Sequence, residues 1–97
     1  MIEVKQQKDG ISVVGHAGYA EPGKDIVCSG ISTLTQTLIQ AVEELTTDKI
    51  RYRIYDGKVY IRFWTVSDAT RVLIEAFFVG CKSIAEAYPA YVKVITK

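Results

Sequence analysis

A cysteine and the single histidine of this chain are the residues best suited to catalysis. Cys28 follows the run Asp25-Ile26-Val27, and His16 lies upstream of it. The thiolate is the nucleophilic form of cysteine, and an imidazole can take up the thiol proton and later protonate a leaving amine. These two residue types therefore indicate nucleophilic attack on a carbonyl, the chemistry of a cysteine peptidase.

The predicted position of Cys28 at the start of a helix favours this chemistry. Apolar residues recur at steps of three and four, as on one face of an amphipathic helix; they are Val27, Ile31, Leu34, Leu38, Val42 and Leu45. Asp25 stands where an N-cap is expected, which places Cys28 in the first helical turn. There the partial positive charge of the helix favours the thiolate, and free N–H groups could hold an oxyanion.

Two other polar residues near Cys28 each allow two interpretations. Asp25 could orient His16, but an Asp at this position is at least as well explained as a helix cap. Ser32 lies four residues after Cys28, one turn along the same helix face, and could line a substrate cleft. The simpler interpretation of Ser32 is a hydroxyl bonded to the preceding turn.

The remaining patterns predict strands around this helix and a second helix after it. Two turn signals are each flanked by alternating apolar segments; the predicted hairpins are 1–7 with 11–17, around Asp9-Gly10, and 50–55 with 58–64, around Asp56-Gly57. Ser67-Asp68 should begin a helix that Pro89 ends, and residues 91–95 should form a last strand. The order ββαββαβ predicts an α+β sandwich: one domain spanning 1–97, with a largely antiparallel sheet and both helices on one face.

Residues 18–25 fit no helix or strand. This segment contains Gly18, Pro22 and Gly23, and it connects His16 to Cys28. We expect a mobile loop beside the two candidate catalytic residues.

Composition limits the classes of function. The 97 residues are 48% hydrophobic and 24% charged, with a net charge of +1, which is far from the balance of a dedicated nucleic-acid binder. No segment has the pattern of a signal peptide or a membrane span, so we expect a cytoplasmic protein with free thiols and no membrane partner. Cys81 shares a helical stripe with Phe77 and Ile84 and should be core. One His and two Cys make a poor zinc site, and the small size favours a homodimer.

Two motifs, Gly15-His16-Ala17 and the run from Gly23 to Ser32, together resemble the ribosomal-processing cysteine protease family, often called Prp. Members of that family begin with a hairpin carrying Gly-His-Ala, followed by a flexible loop. Asp-Ile-Val-Cys-Ala then starts a helix, with a Ser four residues past the Cys. The resemblance spans nearly the whole chain. This sequence departs from the pattern at Ser29-Gly30, where small apolar residues are more usual and where Gly30 could loosen the helical turn.

The resemblance implies both an activity and the residues that perform it. Cys28 and His16 match the catalytic dyad, and Gly15, Asp25 and Ser32 match supporting positions of the motif. Family members look like cytoplasmic dimers that remove an N-terminal extension from a large-subunit ribosomal protein, or cut related phage proteins, after an aromatic residue. The implied mechanism passes through a thioester and needs no cofactor. The loop becomes a lid whose Gly18 and Gly23 permit motion.

Two other functions are compatible with the sequence. The second hairpin mixes cations with rings that could stack on bases, as in an RNA- or ribosome-binding module without catalysis; these residues are Arg51, Arg53, Tyr55, Tyr60, Arg62 and Trp64. The net charge near zero favours instead a solvated outer sheet face and argues against direct nucleic-acid binding. A subunit-contact or regulatory module, in which Cys28 is merely buried, is the third possibility.

Overall fold

Seven elements follow one another in the order ββαββαβ in a computed structural model that describes all of residues 1–97. They are β1 (Ile2–Gln7), β2 (Gly10–Val14), α1 (Ile26–Leu45), β3 (Ile50–Tyr55), β4 (Lys58–Phe63), α2 (Asp68–Ala87) and β5 (Val92–Ile95). The predicted order of elements is confirmed.

The five strands form one sheet in the order β3-β4-β2-β1-β5. Only the contact between β1 and β5 is parallel, so the sheet is largely antiparallel as predicted. Along β1 and β4 buried or partly buried residues alternate with exposed ones: Val4 and Ile61 are buried, while neighbours such as Lys5 and Arg62 are exposed. One face of the sheet is therefore apolar and lies under the helices, which confirms the α+β architecture.

Gly15 ends β2 earlier than the sequence predicted. The second strand was expected over 11–17, but pairing with β1 ends at Val14, and Gly15 has a φ of 105°. A Cβ at Gly15 would overlap the carbonyl oxygen of Met1, so both the conformation and the space require glycine. His16 consequently lies beyond the strand, in the connection that leads to α1.

Two residues of the predicted apolar helix faces are instead exposed: Leu45 in the first helix, and Val72, which the sequence pattern of the second helix groups with Phe77 and Ile84. Leu45, the last residue of α1, is 71% exposed, and Val72 is 59% exposed. The buried stripe of α2 includes Thr70, and Val72 lies about 200° around the helix from that residue. The apolar stripes are therefore narrower than the sequence suggested.

The two helices approach each other through a pair of glycines. A Cβ at Gly30 would lie 3.0 Å from the Cδ1 atom of Ile84, and a Cβ at Gly80 would lie 2.9 Å from both Cδ atoms of Leu34. Each helix thus contributes a glycine opposite a branched side chain of its partner. Gly30 has a packing role that the sequence pattern did not reveal.

Candidate active site

Cys28 occupies the first turn of α1, where Asp25 is the N-cap as predicted. Its side chain is half-buried, and its Sγ atom accepts a hydrogen bond from the backbone N–H of Ala17 at 3.2 Å. This bond and the position at the helix N-terminus both stabilise negative charge on the sulfur. Ala17, which follows His16 directly, is therefore hydrogen-bonded to the candidate nucleophile.

The Asp25 carboxylate binds four backbone N–H groups with its two oxygens. Oδ1 accepts from Val27 at 3.0 Å and from Cys28 at 2.9 Å, and Oδ2 accepts from Tyr19 at 3.0 Å and from Ala20 at 3.3 Å. The hydrogen bond from Cys28 is the main reason why the pKa of Asp25 is lowered; those from Ala20, Tyr19 and Val27 add to it, against an opposing effect of burial. One side chain therefore joins the loop to the helix start.

These contacts decide between the two interpretations of Asp25 in this structure. All four hydrogen bonds go to backbone N–H groups, and none goes to His16. The carboxylate caps the helix. Because the Asp25 carboxylate also accepts the hydrogen bond from the N–H of Cys28, that N–H group is not free to hold an oxyanion in this structure.

His16 rests against the turn of the second hairpin. The backbone N–H of Gly15 donates to the carbonyl of Gly57 at 2.8 Å, and a Cβ at Gly57 would lie 2.7 Å from the Nε2 atom of His16. The Oδ1 atom of Asp56 lies 3.8 Å from the same nitrogen. The sequence pattern identified Asp56-Gly57 only as a turn. Its contact with the imidazole comes from the β2–β4 pairing and was missed.

His16, Cys28 and Ser32 line one cavity of about 240 Å³. The Ser32 hydroxyl makes no hydrogen bond to the preceding turn, in contrast to that of Thr35, which donates to the Ile31 carbonyl at 2.7 Å. The imidazole and the thiol do not hydrogen bond to each other in this arrangement. The other wall of the cavity comes from the end of β3, the turn and the start of β4, and includes Ile54, Tyr55, Asp56, Gly57, Lys58 and Val59.

Other sites in the chain lack this combination of residues. A larger concavity of about 980 Å³ at the C-terminal end of α1 contains neither Cys28 nor His16. Cys81 is fully buried, as predicted, and burial raises the pKa of its thiol to about 12. Nowhere do three His, Cys, Asp or Glu side chains come together in a way that could hold a metal ion. Neither helix has the length and apolarity that crossing a bilayer requires.

The loop between His16 and Cys28 packs against the segment that connects α2 to β5. The Tyr19 ring makes edge-to-face contacts with Tyr88 and Tyr91, with centroids 5.3 Å and 5.2 Å apart. Gly18 and Gly23 both have a positive φ, of 69° and 85°. Tyr19 and Asp25 are thus the two side chains that hold this loop in place.

Comparison with known proteins places the chain in a family. A family model described as cysteine protease Prp matches residues 1–93. The chain belongs to the cysteine protease Prp family. A relative from Staphylococcus aureus, named ribosomal processing cysteine protease Prp, is 32% identical over 77 residues, covering 76% of this chain and 73% of the relative. The resemblance drawn from the two motifs is confirmed, and the protein is a cysteine protease.

Solved structures of a Prp protease share the fold. The S. aureus essential ribosomal processing protease Prp, in complex with a covalently linked product peptide, superposes with a TM-score of 0.90 at 23% identity, covering 99% of this chain and 97% of that one. Its complex with a substrate peptide gives a TM-score of 0.77 at 22% identity, with the same coverage of 99% and 97%. At these identities the likeness is one of architecture.

Proposed function

We propose that this Prp protease removes an N-terminal extension from a large-subunit ribosomal protein, or from a related phage structural protein, by cutting after an aromatic residue. The observation that carries the proposal is the cavity in which a helix-capped cysteine lies beside the single histidine. The name of the S. aureus relative supports the substrate class. Since ribosomal proteins are made in the cytoplasm, the proposed function also places the enzyme there.

The proposed reaction uses Cys28 and His16 alone as reacting groups. The Cys28 thiolate attacks the scissile carbonyl, forming a carbon–sulfur bond, and the imidazolium of His16 gives its proton to the departing amine as the carbon–nitrogen bond breaks. Water, deprotonated by His16, then attacks the thioester and releases the new C-terminal carboxylate. The proton taken from water stays on His16 and the sulfur leaves as the thiolate, so the starting ion pair is restored without a cofactor, and the product acid loses its proton to solvent.

Two movements prepare the site for this reaction. The His16 side chain is 66% exposed, so it is free to rotate toward the sulfur when substrate binds, as catalytic hydrogen bonds often tighten only then. We also assign residues 18–25 as a lid. Opening it requires Tyr19 to leave Tyr88 and Tyr91, after which an extended peptide gains access to Cys28.

The edge strand β3 offers a binding surface for that peptide. It pairs only with β4, so its other side carries unpaired N–H and C=O groups that an extended chain can use. Ile39, Ile54 and Val59 supply apolar surface in the cavity beside Cys28. In the proposed complex this surface receives the aromatic side chain that precedes the cut.

A peptide assay tests the proposed specificity. Peptides that copy N-terminal ribosomal-protein extensions are incubated with the enzyme, with Phe, Leu or Ala before the expected cut, and products are identified by mass spectrometry. We expect kcat/KM for Phe to exceed that for Ala by about a hundredfold, because a buried aromatic ring contributes roughly 3 kcal/mol of transfer free energy. Cleavage that is equally fast with Ala would contradict the aromatic preference while leaving the protease activity intact.

We assign Asp56 as a positioning residue for His16, because its carboxylate lies 3.8 Å from Nε2 and attracts the ring whenever the imidazole is charged. Asp56→Asn should lower kcat about threefold at low ionic strength with KM unchanged, whereas Asp56→Glu should restore most of the loss. The difference between wild type and Asp56→Asn should shrink as salt is added, since the pair is exposed. A loss of kcat that is independent of salt would indicate a role in turn structure instead.

The homodimer expected from the small size stays a prediction. Only 20 of the 97 residues are buried, and Val72 and Val79 on α2 are 59% and 70% exposed. Such apolar exposure is compatible with a subunit contact.

A further inference from the structure

The proposed protease chemistry does not use the solvent side of the sheet. Strand alternation places one residue in two on this side, away from α1. Of these residues, Tyr55 and Lys58, at the end of the second hairpin, also border the cavity that contains Cys28. We define the outer face by its charged and aromatic members: Glu3 and Lys5 on β1, Arg51, Arg53 and Tyr55 on β3, Lys58, Tyr60 and Arg62 on β4, Trp64 just after it, and Lys93 on β5. All of these residues are exposed.

Charge on the outer face is strongly one-sided. It carries six cationic residues, Lys5, Arg51, Arg53, Lys58, Arg62 and Lys93, and one acidic residue, Glu3. The face therefore has a net charge of +5, whereas the whole chain has +1. The overall composition, which argued against a polyanion partner, conceals this separation.

No cation of the outer face forms an ion pair within the chain. Arg51 and Arg62 lie directly opposite each other in the β3–β4 register, an arrangement that destabilises a sheet. Both guanidinium groups lie over the Trp64 ring, at 5.7 Å and 5.2 Å from its centroid. The chain's two ion pairs are His16–Asp56 and Arg71–Asp68, so none involves this face. An external anion would neutralise charge that the fold leaves uncompensated.

Exposed aromatic rings stand among these cations. Tyr55, Tyr60 and Trp64 are 51%, 42% and 56% exposed. Tyr60 lies opposite Arg53 on one side and Ser12 on the other. A concavity of about 500 Å³ opens beside Tyr60; its lining includes Arg51, Arg53, Arg62 and Trp64, with Asp9 as the one acid.

We propose that the outer face binds single-stranded nucleic acid, with Tyr60 and Trp64 stacking on bases and the arginines contacting phosphates. Exposed rings between arginines match alternating bases and phosphates, whereas an acidic protein surface would use the cations alone. The charge argues against a second copy of the chain as the occupant, because two faces of +5 would repel each other. A duplex keeps its bases stacked inside and offers the rings no partner.

Fluorescence anisotropy with a labelled oligonucleotide about twelve nucleotides long measures this binding. Single-stranded RNA, single-stranded DNA of the same sequence and the corresponding duplex are titrated at several salt concentrations. We expect both single strands to bind more tightly than the duplex, and the RNA and DNA arms show which sugar is preferred. Cys28→Ala should bind as tightly as wild type, because the outer face lies on the other side of the sheet.

Substitutions separate stacking from charge. Tyr60→Ala should weaken binding roughly tenfold, while Tyr60→Phe, which keeps the ring, should bind as wild type. The double variant Arg51→Gln/Arg62→Gln should lower the magnitude of the log–log salt slope by about 1.4. Lys24→Gln/Lys82→Gln is the matched control, since it removes the same charge outside the outer face and should leave binding nearly unchanged.

Three results would overturn the proposal: no binding at low salt, equal binding of duplex and single strands, or a Tyr60→Ala variant with undiminished affinity. If Tyr60→Ala keeps full affinity, and polyglutamate displaces the labelled oligonucleotide as well as unlabelled RNA does, the outer face is a surface for acidic proteins. Peptide cleavage by Tyr60→Ala, measured in parallel, should equal that of wild type. A failure of nucleic-acid binding therefore leaves the proposed protease function untouched.

Discussion

Replacing Cys28 by Ala should reduce peptide cleavage by at least about a thousandfold, to the background of the uncatalysed reaction. Without the sulfur no thioester forms, and no other thiol can take its place, because Cys81 is fully buried in the core. His16→Ala should have a loss of similar size, since the leaving amine would depart without a proton donor. Cleavage is measured by mass spectrometry on the extension peptides, and folding of each variant by far-UV circular dichroism.

Thiol labelling gives an independent measure of the same assignment. Iodoacetamide should modify one thiol per native chain in wild type and Cys81→Ala, and none in Cys28→Ala, because burial raises the pKa of Cys81 to about 12. Cys81→Ala is the matched control: it removes the other cysteine and should keep its cleavage activity. Undiminished cleavage by Cys28→Ala would rule out the proposed nucleophile.

Replacing Asp25 should damage both stability and catalysis, and two variants separate the causes. Asp25→Ala removes the acceptor for four N–H groups and should lower the Tm by about 5–10 °C and kcat by on the order of a hundredfold. Asp25→Asn can still cap α1 through its carbonyl oxygen, but its NH₂ group would face the donors of Tyr19 and Ala20. We expect this variant to keep the helix start and release the loop, detected as faster proteolysis between 18 and 25.

The acid stability of these variants should follow from the lowered pKa of Asp25. A carboxyl whose pKa is lower in the folded chain stabilises the fold above its unfolded pKa of about 3.9, and this contribution disappears as the pH falls through the folded pKa. The Tm of wild type should therefore fall more steeply in acid than that of Asp25→Asn. Asp48, whose pKa is lowered mainly by the Ser67 hydroxyl, should supply much of the remaining slope.

Asp48→Asn serves as the control for a carboxylate remote from Cys28. It should also flatten the acid dependence of the Tm, because it removes the titratable carboxyl whose charged form the Ser67 hydrogen bonds favour, yet leave cleavage at neutral pH unchanged. If Asp25→Asn and wild type had parallel Tm curves in acid, the carboxylate would not carry the stability assigned to it.

Local patterns predicted the elements, whereas contacts between distant residues did not follow from them. Asp25 as an N-cap, the Asp56-Gly57 turn and the core position of Cys81 each depend on neighbours in sequence or on helical periodicity, and all three agree with the structure. The early end of β2 depends on the Met1 carbonyl facing Gly15 across the hairpin. The alternation of apolar residues within one strand cannot reveal such a contact between two strands.

The candidate site, like the fold, was predictable where it depends on residue types and local patterns. Residue chemistry and the family motif identified Cys28 and His16, and the cavity does contain both, together with Ser32. What the sequence could not show is that Asp25 uses all its hydrogen bonds on backbone groups, or that Asp56 approaches the imidazole. Both facts depend on how the loop and the second hairpin are placed in space.

The paired glycines between the helices, Gly30 and Gly80, help to set the position of Cys28. Gly30 lies two residues beyond Cys28, and its Cα faces the Cδ1 atom of Ile84. The position of the first turn of α1 relative to α2 therefore depends on a side chain that is remote in sequence. A side chain at position 30 and the one at position 84 would therefore occupy the same space between the helices. With Ala at position 30 the Cδ1 atom of Ile84 would have to give way by a few tenths of an ångström, so we expect substitutions at these two positions to be coupled.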